Sequence, residues 1–345
     1  MEEIFIDERR VSSNDPPLVI AEVGINHEGD VNKALQLVDA AVAVGTECIK
    51  FQCHITEAEM IPTDMKPGKI SDEKLWDIIK RCELTEEEEA RVKAYCEEKG
   101  ILYLCTPFSR EAADRLYDME VSAFKIGSGE CNNTPLLSHI AKMGKPMLLS
   151  TGMNDLASIK ASVEAIRKRD CPVMLMHCTS MYPTPYDKVR LGAIEQLRQE
   201  FQVPVGISDH SIGIYTCLGA VALGACALEK HFTLSRKWPG PDVPLSIEPH
   251  ELSELVKGAG AVYAAMGGEK TVLPDEKPVI DFAYASVVSI APITAGERFT
   301  IENIWVKRPG TGSLSAAGFE RVLGKIASVD ISPNTQIRPE DIVDW

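Results

Sequence analysis

From Leu18 to Met266 the chain alternates between two textures. Short apolar runs rich in β-branched residues begin each cycle: Leu18–Gly24, Cys48–Cys53, Leu102–Thr106, Ala123–Ile126, Pro146–Ser150, Val173–Cys178, Pro204–Ser208 and Ala227–Phe232. Runs with apolar residues at helical spacing follow, among them Val31–Val44, Thr85–Lys99, Arg110–Asp118, Leu156–Lys168 and Pro249–Met266. Gly45, Gly100, Gly144 and Gly224 stand where left-handed helix caps belong. Eight strand–helix cycles match a (β/α)8 TIM barrel in count and in length. A doubly wound open sheet is the alternative, weakened because no G-x-G-x-x-G turn follows any strand.

The connection from His54 to Leu84 is the longest and contains Pro62, Pro67 and Gly68, then a helical piece near Leu75–Arg81. Connections of that length are usually functional or carry small elements of their own. After Gly268 the texture changes, and the polar run Thr271–Val279, with Pro274 and Pro278, reads as a linker. The expected division is a barrel over residues 1–268, a linker over 269–280 and a small β-rich domain over 281–345. Within the last part, Ile293–Ile304 and Ile331–Ile342 repeat apolar, acidic and turn positions in the same order. A compact domain with pseudo-twofold symmetry would explain that echo.

A chain of 345 residues has room for one large domain and a small one. Its net charge of −15 argues against nucleic-acid binding, which calls for a basic surface. Any anionic substrate must therefore meet a local basic pocket. The N-terminal run Met1–Glu8 is acidic, so a signal peptide is not expected. The apolar stretch from Leu218 to Leu228 is too short to span a bilayer, so no membrane partner is expected. The ten cysteines form no C-x-x-C pair and lie in apolar contexts. They read as reduced core residues of a cytoplasmic protein.

In a barrel, only the C-terminal ends of the strands and the loops beyond them converge on one cavity. The polar residues at those positions are Glu22, Asn26 and His27; Lys50 and Gln52; Thr106; Lys125, Ser128 and Glu130; Thr151; Thr179, Ser180 and Tyr182; Ser208 and His210; and Lys230 and His231. Each has a plain structural reading. A strand-end lysine is commonly a surface charge, His231 alone a packed core histidine, Asp209-His210 a turn, and Glu22 a structural partner of Lys50. Their gathering at one end of an apolar barrel favours a site. Lys50 and Lys125, with hydroxyls and the turn Gly127-Ser128-Gly129-Glu130, compose an anion site. His210 and His231 fall on the last two strands, neighbours in a closed barrel, and are placed to share a metal ion. Two imidazoles are too few for a structural zinc site but suit an open ion with oxygen ligands, Mn²⁺ first and Mg²⁺ second. His54, His139, His177 and His250 are read as loop, helix or packing residues.

The segments Glu22-Val23-Gly24-Ile25-Asn26-His27-Glu28-Gly29, Lys50-Phe51-Gln52, Thr106-Pro107-Phe108-Ser109, Lys125-Ile126-Gly127-Ser128-Gly129-Glu130, Ser208-Asp209-His210 and Glu229-Lys230-His231-Phe232-Thr233 follow in this order. Together they resemble the sialic acid synthases (N-acetylneuraminate synthases). The likeness continues through Gly240-Pro241-Asp242 and Trp305-Val306-Lys307-Arg308-Pro309-Gly310, and the tail resembles the antifreeze-like, or SAF, domain of that family. The resemblance implies condensation of phosphoenolpyruvate with N-acetylmannosamine to give N-acetylneuraminate and phosphate. It implies that Lys50, Thr106, Lys125, Ser128, Ser208 and His210 hold phosphoenolpyruvate, with Ser180 where bacterial members often have asparagine. His210 and His231 would bind the metal. Glu22, Gln52, Glu130, Tyr182, Asp242 and Phe282 would surround the sugar. Arg308 would reach it from the tail of a second subunit, in a domain-swapped homodimer. Glu22 is the first candidate to activate the attacking water and Glu130 the second. A legionaminate or pseudaminate synthase, running the same reaction on a diacetamido-trideoxyhexose, is the near alternative. A non-catalytic carbohydrate- or ice-binding protein is the alternative of another class, and Lys50, Lys125, His210 and His231 argue against it.

Overall fold

Strand parity decides what the barrel of this protein holds. The computed structural model describes residues 3–68 and 71–345. The chain separates into two compact units, Met1–Gly267 and Gly268–Trp345.

The first unit opens with an antiparallel hairpin of β1 (Glu3–Ile6) and β2 (Arg9–Ser12). The eight parallel strands that follow are β3 (Leu18–Gly24), β4 (Cys48–Cys53), β5 (Leu102–Pro107), β6 (Phe124–Ile126), β7 (Met147–Ser150), β8 (Val173–Cys178), β9 (Val205–Asp209) and β10 (Ala227–His231). β10 pairs with both β9 and β3, so the sheet closes and the open-sheet alternative falls. Successive side chains of a strand point to opposite faces. One face begins apolar: Leu18, Ile20, Cys48, Leu104, Leu148 and Met174 form a single buried cluster, joined by Ile4, Ile6 and Val11 of the hairpin. Ile4 and Ile6 are buried while Glu3 and Phe5 are exposed, a period-2 pattern that the acidity of the N-terminal run hides. Continued in steps of two, the same face turns polar. Glu22 follows Ile20, Lys50 follows Cys48, Thr106 follows Leu104, Lys125 follows Ala123, Ser150 follows Leu148, and Glu229 follows Ala227.

The other face packs on the surrounding helices, where Val19, Ala21, Ile49 and Phe51 share a cluster with Leu37 and Val92. The helix Glu86–Lys99 shows why the shell forms where it does. Thr85 and Glu88 make a reciprocal capping box, acidic residues fill the first turn, and Gly100 caps the end at φ 71° and ψ 28°. Its buried residues include Val92 and Cys96. The long connection after β4 contains short helices Thr56–Glu59 and Leu75–Cys82, and the second buries Ile78, Ile79 and Cys82. All ten cysteines are free and buried. Among the described residues no helix is long and apolar enough to cross a membrane.

The second unit carries β11 (Ser286–Ser289) and β12 (Ile304–Lys307), paired antiparallel. A 3-10 turn, Pro274–Glu276, and a helix, Lys277–Ala283, occupy most of the segment expected to be a plain linker. Pro278 sits in the first turn of that helix, where its missing N–H costs nothing, so proline here starts a helix instead of breaking one. The two halves of the sequence echo meet. Ile293 and Ile331 exchange backbone hydrogen bonds of 2.9 and 2.8 Å. The equivalent pairs Ile293 and Ile331, Phe299 and Ile337, and Ile304 and Ile342 all lie in the core of this unit.

Candidate active site

The polar ends of the barrel strands line a cavity of about 460 Å³. Lys50 Nζ lies 2.7 Å from Glu22 Oε2 and donates to Thr106 Oγ1 at 3.0 Å. Lys125 Nζ donates to Ser150 Oγ at 3.0 Å and lies 3.3 Å from Glu229 Oε1, which also accepts from Ser208 Oγ at 2.9 Å. Gln52 Nε2 donates to the other oxygen of Glu22 at 2.9 Å. Two lysines and two carboxylates thus stand inside a barrel, nearly sealed from solvent. Among the described residues Glu22 Oε2 and Glu229 Oε2 find no aligned hydrogen-bond donor, although Glu22 Oε2 touches the Lys50 ammonium.

Burial sets the electrostatics and neighbours sort the outcome. Burial pushes the Glu22 carboxyl above its ordinary range, and the nearby Glu229 charge adds to it against the pull of Lys50. Burial works the same way on Glu229, but Lys125 and Lys50 outweigh it and hold that carboxyl low. Burial opposes the Lys50 charge, and Glu22 with Glu229 more than restores it, so its pKa rises. Lys125 goes the other way: burial lowers it further than Glu229 raises it. Burial and neighbours together thus push the two carboxyls in opposite directions, Glu22 up and Glu229 down, and do the same to the two lysines, Lys50 up and Lys125 down.

Backbone and hydroxyl groups add to the anion site. Ser128 Oγ accepts from Gly152 N–H at 3.1 Å. A Cβ added at Gly152 would meet Ser128 Oγ at 2.7 Å and would collide with Ser180 Oγ. Glycine is what keeps the space between the two hydroxyls open.

His210 follows β9 and His231 ends β10, and their ring centroids are 5.3 Å apart. His210 Nδ1 lies 3.2 Å from the Thr179 carbonyl oxygen. A donor bond there puts a proton on Nδ1, so Nε2 carries the lone pair whenever the ring is neutral, while, against burial, Cys178 and the Thr179 carbonyl raise the pKa of the ring. His231 Nδ1 is buried without a hydrogen-bond partner among the described residues, 3.8 Å from Asp242 Oδ2. Burial, then the His210 and Lys50 charges, holds His231 well below the ordinary histidine range, in the neutral form a metal needs. Among the described residues no three His, Cys, Asp or Glu side chains form a ready-made metal cluster. An orphaned, neutral imidazole nitrogen beside a second imidazole fits a divalent ion that takes its remaining ligands from solvent or substrate. Tyr182 covers His210 with ring centroids 4.3 Å apart.

The cavity collects most of the residues expected from the sequence: Glu22, Lys50, Gln52, Thr106, Lys125 and Ser128 from the first half, and Ser180, Tyr182, Ser208, His210, His231 and Asp242 from the second. Lys230 does not belong there. It has the wrong parity, turns away from the cavity, and forms a fully buried ion pair with Asp209 Oδ2 at 2.7 Å. Glu130 lies on the 3-10 turn beyond β6, lines a neighbouring cavity, and accepts from Asn133 Nδ2 at 2.6 Å. His27 is buried, accepts from Gly29 N–H at 3.1 Å, and is lowered by burial to about 4. Phe282 and Arg308 belong to the second unit and are exposed there. Sequence reasoning missed Ser150, Gly152, Cys178 and, above all, Glu229. It also left His54 as a loop residue, yet His54 bridges Gln52 Oε1 at 3.0 Å and Glu59 Oε2 at 2.8 Å.

Residues 37–271 match the NeuB family, and residues 284–343 match the SAF domain. The chain belongs to the NeuB family. An uncharacterized protein of Methanocaldococcus jannaschii is 42% identical to this NeuB-family chain, over 90% of each sequence. The N,N'-diacetyllegionaminic acid synthase of Campylobacter jejuni is 38% identical, covering 93% of this chain and 98% of its own. Among solved structures, the N-acetylneuraminic acid (sialic acid) synthetase of Leptospira borgpetersenii is 33% identical, with a TM-score of 0.73 over 81% of this chain and 95% of its own. The resemblance seen in the sequence motifs and these full-length matches agree on one group, the sialic-acid-type synthases with a barrel and an SAF domain.

Proposed function

We propose that this chain condenses phosphoenolpyruvate with an N-acetylated amino-sugar aldehyde and water, giving a nine-carbon α-keto acid and phosphate. N-acetylmannosamine is the reference acceptor, and the product is then N-acetylneuraminate. The observation that carries this reading is the pair of inward lysines, each set against a carboxylate, at the polar end of an otherwise apolar barrel. Names of relatives support the reaction class.

Lys50, Lys125, Thr106 and Ser208 would hold the anionic ends of phosphoenolpyruvate, with Ser128, Ser180 and the Gly152 N–H completing the cradle. Its methylene carbon forms the new C–C bond to the acceptor aldehyde, and the aldehyde oxygen takes a proton. Water adds to the carbon that bears the phosphate ester, and the C–O bond to phosphate then breaks. Glu22, whose pKa burial raises and whose carboxylate lines the cavity, is the first candidate to take the proton from that water. His210 and His231 would hold a divalent cation, Mn²⁺ first, which when bound supplies Lewis-acid polarisation of the aldehyde. Gln52, Tyr182 and Asp242 would face the acceptor. Buried, free thiols fit a cytoplasmic enzyme. The deciding assay offers the purified protein phosphoenolpyruvate, Mn²⁺ and either N-acetylmannosamine or its 2,4-diacetamido-trideoxy analogue. Acceptor-dependent release of phosphate, matched by an α-keto acid, is expected. Absence of acceptor-dependent release with both sugars would overturn the proposal.

A pH effect follows from Lys125. Only its ammonium form holds an anion, and burial lowers its pKa. The KM for phosphoenolpyruvate is therefore expected to rise with pH, starting below the usual lysine range. Steady-state kinetics of wild type and Lys125→Arg should show this limb moved to higher pH in the variant, because a guanidinium stays charged. An unmoved limb would assign the titration to another group.

We also propose that the second unit acts in trans, Arg308 and Phe282 completing the sugar site of a partner subunit. Local sequence makes Arg308 an exposed turn residue, and family resemblance is what supports the role. Complementation tests it. After subunit exchange, a mixture of His231→Ala and Arg308→Ala chains should recover activity that neither shows alone. If exchange is verified and activity does not recover, the arrangement in trans is wrong.

A further inference from the structure

A side cavity of about 350 Å³ adjoins the reaction cavity, and Gln52, Phe108 and Asp242 line both. His54, one residue beyond β4, lines the side cavity. Its ring is held on three sides. One face stacks on Phe108, with centroids 4.6 Å apart and planes 12° from parallel. Nε2 lies 3.0 Å from Gln52 Oε1, and Nδ1 lies 2.8 Å from Glu59 Oε2. The local sequence builds this holder. A single helical turn, Thr56–Glu59, follows the strand and brings Glu59 back to His54. Thr56, itself buried, anchors the turn by donating from Oγ1 to Glu83 Oε2 at 2.8 Å. The pair is out of water, the side chains of His54 and Glu59 being 3% and 6% exposed.

Gln52 makes two side-chain hydrogen bonds among the described residues, its Nε2 donating to Glu22 Oε1 at 2.9 Å and its Oε1 facing His54. An amide turned end for end fills the same space, so shape alone does not fix it. Ionised Glu22 only accepts, and so does ionised Glu59. The NH2 end of Gln52 must then face Glu22, and both nitrogens of His54 must donate, one to the amide oxygen and one to Glu59. Glu59, Glu130 and Asp242 line the same cavity and no described lysine or arginine does, which suits a ring that carries both protons. Were the amide reversed, its oxygen would face the Glu22 carboxylate, acceptor against acceptor, and a buried carboxylate would lose a donor. We infer that His54, clamped by Glu59, is a positioning residue that keeps the Gln52 amide turned with its NH2 group toward Glu22, and so keeps Glu22 ionised and in place to act as the base. The inference rests on the proposed condensation and names how its base is held. His54 acts through Gln52 and needs no contact with a reactant.

Two measurements test it. Ring ¹⁵N spectra of histidine-labelled protein, at the pH where turnover is fastest, should show both nitrogens of His54 protonated, the signal being assigned by its absence from His54→Phe. A bare nitrogen in the wild type overturns the inference. Steady-state kinetics use phosphoenolpyruvate, Mn²⁺ and whichever of the two acceptor sugars the wild type condenses. His54→Phe keeps a ring to stack on Phe108 and loses both hydrogen bonds. Its kcat should fall on the order of a hundredfold, as misplacing a group near the chemistry does, while KM for phosphoenolpyruvate stays unchanged. Glu59→Gln should also lower kcat, and Glu59→Asp, which keeps the charge, should lower it less. A packing role gives the reverse order, because glutamine matches glutamate in size, and that order overturns the inference. Wild-type kcat in both His54→Phe and Glu59→Gln overturns it too and leaves the condensation standing. Variants at two positions guard against one that fails to fold. If the wild type condenses neither sugar, the proposed function fails and this role falls with it.

Discussion

Replacing His231 with alanine should lower turnover by roughly a thousandfold, since the Lewis-acid contribution of a bound metal amounts to several kcal/mol and each 1.36 kcal/mol is a factor of ten. The fold should survive, because His231 stands at the last position of β10 and its ring hangs from the strand end. The buried and unpaired Nδ1 is the reason to expect metal there. Two readouts keep the metal claim separate from activity. Titration of Mn²⁺ should raise the Tm of the wild type and leave the variant unmoved, and Mn²⁺ bound per chain should fall in the variant. A variant that turns over at the wild-type rate after chelator treatment would remove His231 from the metal site.

The largest loss of stability is expected from Lys230→Met. The ammonium is wholly buried and, among the described residues, is the one cation paired with Asp209, whose Oδ2 also accepts from Ser211 Oγ at 2.9 Å and Thr216 Oγ1 at 2.7 Å. Lys230 also donates to the Ser211 carbonyl. Removing one partner of a buried pair leaves a charge without compensation and costs about 3–5 kcal/mol. Replacing both partners removes that penalty, so Lys230→Met with Asp209→Leu should be more stable than Lys230→Met alone in urea unfolding. The pair ties β9 to β10 directly beside His210 and His231. A metal affinity weakened by roughly 10–100-fold in the single variant is therefore expected as well. A single variant as stable as wild type would mean that Asp209 is neutral in the folded protein.

Most of the fold could be read from the sequence because barrel strands are short, apolar and regularly spaced. The closed barrel and the helix shell follow from that alone. What escaped reading was parity. In Ala227-Leu228-Glu229-Lys230-His231 every second residue faces inward, so Glu229 belongs with His231, and Lys230 belongs outside with Asp209. Ser150 was available by the same count from Leu148. Beyond the strand ends parity lapses, which is why Glu130, on a 3-10 turn, faces the side cavity. Gly152 carries no side chain to advertise itself, and its importance is the space it leaves between two serines. The hairpin Glu3–Ser12 was hidden by charge, although Ile4, Ile6 and Val11 alternate as a plug should. The role of the long connection after β4 emerges only when its helix Leu75–Cys82 is seen to wall a cavity.

The central claim is that phosphoenolpyruvate condenses here with cleavage of its C–O bond, water attacking carbon. Running the reaction in ¹⁸O-labelled water tests it most directly. The released phosphate should contain no label, since all four of its oxygens come from phosphoenolpyruvate. Label in the phosphate would mean that water attacks phosphorus, and the chemistry assigned to Glu22, Lys50 and Lys125 would be wrong.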